Sequence, residues 1–206
     1  MIRDGRFGPL SHIHLRTNGF SSARYPAWDC PWMLDPAIAG GGALRNLGVH
    51  GFDTFLQLTG EDAEVVGAQT SRRALATPVE DYAVVLVRST SGVLGTIEVG
   101  NTFPRKSRET ADGGKSTDRL LDGGDAEWKV SGRDAMVVSK AGQLRIITAD
   151  GEDAQPSAPS EVPSYLLLED ALAHWRRGAP PPASVHDCYR AMLLIDQAYR
   201  LAGQTG

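Results

Sequence analysis

Acid–base chemistry near neutral pH needs a side chain that titrates there, and histidine is the one that does so unaided. The chain has five histidines. His50 lies in Gly40-Gly41-Gly42-Ala43-Leu44-Arg45-Asn46-Leu47-Gly48-Val49-His50-Gly51-Phe52-Asp53, a glycine-rich entry into an apolar helix. Taken by itself, a histidine on an apolar helix reads first as a buried, hydrogen-bonded core residue. Asn46, four residues earlier, reads equally as a hydrogen bonder at the helix entry, and Asp53 reads as structural. His12 and His14 alternate on a strand-like run and so face one side. No carboxylate or cysteine stands close to them in sequence, so they carry no metal assignment.

Dinucleotide binding needs a glycine-rich turn between a buried strand and a helix, where backbone N–H groups meet the pyrophosphate. No G-x-G-x-x-G occurs. Gly40-Gly41-Gly42 follows Leu34-Asp35-Pro36-Ala37-Ile38-Ala39, which is a poor strand. Gly113-Gly114-Lys115-Ser116-Thr117 imitates the end of a P-loop, but Glu109 stands where the first glycine should be, so the segment reads as a solvated loop. No cofactor-binding residue is assigned, and NAD(P) is expected only together with a nucleotide-binding partner domain.

Around these residues lies an ordinary composition: 206 residues, 41% hydrophobic and 22% charged. That suffices for one domain, residues 1–206, with a buried core. A formal net charge of -4 and a pI near 5.7 argue against nucleic acid and anionic membranes as partners. No run of about 18 apolar residues exists, and the first residues lack the apolar stretch of a signal peptide. Cys30 and Cys188 are far apart with no CxxC spacing, and read as reduced thiols of a cytoplasmic protein.

The elements that would position His50 follow from periodicity. Residues 9–17 read as a strand and 18–42 as a long irregular loop rich in glycine and proline. The next helix places Leu44, Leu47, Phe52, Phe55, Leu56 and Leu58 mostly at i, i+3, i+4 spacings, with Gly60 as its C-cap. Strand-like runs follow at 64–70, 81–88, 93–100, 126–130, 135–139 and 144–148, with Ser89-Thr90-Ser91-Gly92 as a hairpin loop. Residues 104–118 and 150–163 read as loops. Two helices close the chain, at 162–177 and 184–201. The second opens on the capping-box-like Ser184-Val185-His186-Asp187, and its stripe Val185, Tyr189, Met192, Ile195, Tyr199 and Ala202 reads as core. One helix, about six antiparallel strands and two helices make an α+β fold: a large open, mostly antiparallel sheet with helices on one face.

Several segments, in order, resemble the second domain of the glucose–fructose oxidoreductase / inositol dehydrogenase (Gfo/Idh/MocA) family. They are Gly5-Arg6-Phe7-Gly8, Trp32-Met33-Leu34-Asp35-Pro36 followed by Gly40-Gly41-Gly42-Ala43-Leu44, Val79-Glu80-Asp81, Gly92-Val93-Leu94-Gly95-Thr96, and Gly178 to Ser184. The resemblance implies NAD(P)-dependent sugar or polyol oxidoreductases, a sheet whose open face often packs on a second subunit, and an active site facing a nucleotide (Rossmann) domain that this chain does not carry. It also implies a D-x-x-x-H pair on the helix after the glycines, with both side chains on one helical face. His50 matches that histidine, as acid/base or hydroxyl ligand; Asn46 stands at the aspartate, and Met33 where many members have arginine. An amide can bond a sugar hydroxyl but cannot take a proton. On this resemblance His50 and Asn46 are the candidate catalytic residues, and Trp32, His50 and Asn46 the candidate substrate-binding residues. Trp32 either stacks on a sugar or plugs the loop against the core.

Two functions follow. The first is the substrate-binding and oligomerisation domain of such an oxidoreductase, truncated or complemented by a separate Rossmann chain. Its partners would be a small polyhydroxylated substrate and either a second copy, through the sheet face, or that chain. The second is a non-enzymatic domain that binds a sugar-like ligand or only dimerises.

Overall fold

The structure is a computed structural model. It describes residues 4–20, 22, 24–104, 125–140, 142–156, 164–181 and 183–203. The strands are β1 (Leu10–Phe20), β2 (Ala63–Ser71), β3 (Tyr82–Ser89), β4 (Leu94–Phe103), β5 (Asp125–Gly132), β6 (Ala135–Lys140), β7 (Gln143–Thr148) and β8 (Gly151–Pro156). The helices are α1 (Arg24–Ala27), α2 (Pro36–Ala39), α3 (Ala43–Thr59), α4 (Ser164–Arg176) and α5 (Val185–Leu201), with one 3-10 turn at Pro31–Leu34. The strands form a single sheet in the order β2-β3-β4-β1-β5-β6-β7-β8. Every neighbouring pair is antiparallel except β1 with β4, which run parallel with Ile13 opposite Gly95 and Leu15 opposite Ile97. The α+β class and the open, mostly antiparallel sheet are therefore those expected from sequence.

The helix α3 forms because its apolar residues fall on one stripe. Leu44, Phe52 and Phe55 are fully buried and Leu56 nearly so, at i, i+8, i+11 and i+12. Gly60 ends it in the left-handed conformation, donating its N–H to the Leu56 carbonyl at 2.8 Å. Against this stripe lie the inward residues of the sheet, Ile13 and Leu15, Val85 and Val87, and Ile97 and Val99, all buried. The helix α5 packs beside α3 and on β2. Its capping box is complete: Ser184 and Asp187 each bond the other's backbone N–H.

Four expectations are corrected. Residues 18–20 continue β1 rather than joining the loop, because Phe20 pairs across a register shift with Phe103, ring centroids 6.3 Å apart. The rest of that region folds into short helical turns of about four residues, too short to show a periodicity. Residues 151–156 form β8, not loop. This edge strand is wholly exposed, carries Glu152 and Asp153 and ends at Pro156, so it has no apolar alternation to read. The α5 stripe is core only in its later turns: Ile195 and Tyr199 are buried, whereas Val185 and Tyr189 are 87% and 59% exposed. Burial along α5 begins at Ala191. Most of the 104–118 segment and residues 157–163 lie outside the described residues. Among the described residues no helix is long and apolar enough to cross a membrane.

Candidate functional site

The start of α3 is held by a residue from far along the chain. The N-cap, Gly42, has no side chain to offer, so the first amides of the helix need another acceptor. Glu80, 4% exposed, supplies it. Its Oε1 accepts the N–H of Gly42 at 2.8 Å and of Leu44 at 3.0 Å, and its backbone carbonyl accepts the N–H of Ala43 at 3.1 Å. The Tyr199 hydroxyl of α5 donates to the same Oε1 at 2.7 Å. Burial, then the charge and hydrogen bond of Glu80, push the Tyr199 phenol well above its ordinary pKa, so it stays a donor.

This arrangement explains the glycines. A Cβ on Gly42 would lie 2.1 Å from the Glu80 carbonyl oxygen, and one on Gly41 would lie 2.0 Å from the Tyr199 hydroxyl. Gly41 also has φ +146°, a conformation side chains rarely adopt. The neighbouring Asp81 is buried too, and its Oδ2 accepts the Leu75 N–H at 2.8 Å.

Between this helix start and the turns after β1 lies a cavity of about 190 Å³, walled by Tyr25, Trp32, Met33, Arg45, Asn46 and Glu80 among others. The Asn46 amide donates to the Tyr25 hydroxyl at 3.0 Å, and the Asn101 amide to the same hydroxyl at 3.2 Å. Arg45 is held by three contacts. Its Nη1 meets Asp196 Oδ1 at 2.9 Å, its Nε donates to the Gly40 carbonyl at 3.3 Å, and its guanidinium lies 5.1 Å from the Tyr199 ring centroid.

Of the three residues singled out from sequence, Trp32 and Asn46 wall this cavity. Trp32 is 49% exposed, so it does not plug the core. His50, one turn beyond Asn46 on α3, is exposed and is not part of the cavity wall. It is therefore not the buried histidine of the plain sequence reading. Glu80, Tyr25 and Arg45 were not singled out. For Glu80 the signal was present, in a V-E-D segment whose only assigned meaning was resemblance. His12 and His14 do share one face of the sheet, beside Lys129 of β5. His12 bonds Thr96 Oγ1 at 3.1 Å, and burial, then His14 and Lys129, lower its pKa. Among the described residues no His, Cys, Asp and Glu cluster suited to a metal occurs.

Residues 1–137 match the family described as the GFO/IDH/MocA C-terminal domain. The chain belongs to the Gfo/Idh/MocA family. It is 30% identical over 174 residues to 1,5-anhydro-D-fructose reductase from Ensifer adhaerens, a match covering 84% of this chain and 46% of that protein. The fold is shared with the aldose-aldose oxidoreductase from Caulobacter crescentus, solved with glycerol: TM-score 0.73, 21% identity, 98% of this chain and 56% of that one. It is shared also with levoglucosan dehydrogenase in complex with NADH and levoglucosan: TM-score 0.73, 18% identity, 98% and 59% covered. The chain thus spans about half the length of these proteins.

A pyrophosphate seat at the start of α3 is pre-empted by the Glu80 carboxylate, and the start of α5 is closed by its own capping box.

Proposed function

We propose that this chain is the substrate-binding and oligomerisation portion of a cytoplasmic NAD(P)-dependent sugar or polyol oxidoreductase of the Gfo/Idh/MocA family. The nucleotide is held by a Rossmann domain, in a longer polypeptide or a separate chain. The carrying observation is the cavity at the start of α3 with Trp32 and Asn46 in its wall. Its volume of about 190 Å³ corresponds to roughly six waters at ~30 Å³ each, the scale of a small polyol. Trp32 offers an exposed aromatic face for the C–H side of a sugar. Asn46 spends its amide nitrogen on Tyr25, which leaves its Oδ1 as the acceptor for a ligand hydroxyl. His50, exposed on the same helix, serves as acid/base or hydroxyl ligand from the rim, toward the side where the nucleotide domain closes the site. The open sheet face pairs with a second copy.

The names of the relatives support the substrate class. The test is a titration of the chain with levoglucosan, read by calorimetry, with Trp32→Ala and Asn46→Ala beside it. Saturable binding weakened at least about tenfold by either variant is expected. Binding indifferent to both overturns the assignment of the cavity. A second reading, a binding domain without chemistry, is favoured by one observation: Asn46 stands in the aspartate position with its amide already engaged. Turnover by the chain together with its nucleotide domain, lost in His50→Ala, decides for the enzyme, and ligand binding with no turnover in that complete assembly decides for the binding domain.

A further inference from the structure

We propose that Glu80 is the specificity-determining residue of this cavity for charge, admitting uncharged polyhydroxylated ligands and turning away sugar phosphates and sugar acids. The proposal rests on the reading of the cavity as a polyol site. Among the described residues, Glu80 and Arg45 are the two charged residues in its wall.

The start of a 17-residue helix would ordinarily attract an anion, because its free amides and dipole present positive charge. Here three of those amides, on Gly42, Ala43 and Leu44, are already bonded to Glu80, two by its carboxylate and one by its carbonyl. An incoming phosphate or carboxylate therefore meets a helix start whose first three amides are spent and a resident carboxylate of its own sign. Arg45 does not reverse this. Its guanidinium is paired with Asp196, tied to the Gly40 carbonyl and laid over the Tyr199 ring. The remaining wall, with Trp32, Tyr25, Asn46 and Asn101, offers aromatic faces and neutral amides, which suit hydroxyls. Because Glu80 is almost fully buried, its charge acts through protein rather than water, where like charges repel more strongly.

Glutamine at this position keeps the acceptor oxygen for both amides and for Tyr199 but carries no charge. The experiment therefore compares the chain with its Glu80→Gln variant, using methyl β-D-glucopyranoside and the matching glucopyranosiduronate, which differ only in a carboxylate. Affinities are measured by calorimetry, and thermal melts report the fold. In the unmodified chain the neutral glycoside should bind at least about tenfold more tightly than the acid. In E80Q the ratio of the two affinities should narrow about tenfold or more, whatever the change in the neutral glycoside's own affinity. A ratio unchanged by E80Q, or an acid bound as tightly as the neutral sugar by the unmodified chain, overturns the charge filter and leaves the polyol site standing. Failure of both glycosides and of levoglucosan to bind overturns the site and the filter together. Should E80Q not fold, methyl 6-amino-6-deoxy-β-D-glucopyranoside on the unmodified chain decides: a filter made by a carboxylate should bind this cation at least as tightly as the neutral glycoside, and a cation rejected as strongly as the acid overturns the proposal.

Discussion

The two halves of the sheet are built differently. The strands β2, β3, β4 and β1 lie under α3 and α5, and every second residue along β3 and β4 is buried there. Across β5 to β8, burial is confined to Val130 and Ala135. Trp128 of β5 is 45% exposed although its partner in register, Leu15 of β1, is 3% exposed. Helix α4 behaves like the second half: Leu167 and Trp175 are 64% and 76% exposed. The cavity belongs to the covered half. A recognition site needs side chains held in fixed positions, and dense packing is what fixes them. Among the described residues the other half and α4 instead present exposed surface, Trp128 and Leu167 included.

The largest expected effect that would break this contrast is Glu80→Ala. It strands two helix amides and the Tyr199 hydroxyl in a buried place, so a loss of about 3–5 kcal/mol in denaturant-melt stability is expected. A loss under about 1 kcal/mol would mean that the α3 start is not anchored as described. Next comes a matched pair of core deletions. Phe55→Ala, at 0% exposure between α3 and the sheet, should cost about 3–5 kcal/mol. Ile146→Ala on half-buried β7 should cost about 1 kcal/mol or less. Equal costs would erase the difference between the halves.

A smaller effect lies in pH. Burial, then His14 and Lys129, lower the His12 pKa below its ordinary 6.5. The unfolded chain therefore takes the proton first, and stability falls as pH drops from above 6.5 toward the lower folded value. Melts across this range should show that slope, and His12→Gln should flatten it. A slope that survives in the variant assigns it to other groups.

The covered half was the more legible in sequence. The α3 stripe, its Gly60 cap, the Ser184 capping box and the strand alternation of β3 and β4 are local patterns that burial enforces. Where burial is absent the pattern is absent too, which is why β8 read as loop and why Val185 and Tyr189 read as core from periodicity alone. The parallel placement of β1 beside β4 is a long-range choice that no local spacing records. Of the three candidate site residues, Trp32 and Asn46 reach the same cavity and His50 does not. Glu80 was not, because its partners, Gly42, Leu44 and Tyr199, lie 38, 36 and 119 residues away.

The central claim is that the cavity at the start of α3 takes a small uncharged polyol and that this chain does not itself hold the nucleotide. The most direct measurement is an NMR titration of the chain with levoglucosan and, separately, with NADH. Saturable shifts at the Trp32 indole and the Asn46 side-chain amide with levoglucosan, and none of stoichiometric strength with NADH, are predicted. Tight NADH binding, or levoglucosan shifts that bypass Trp32 and Asn46, would contradict it.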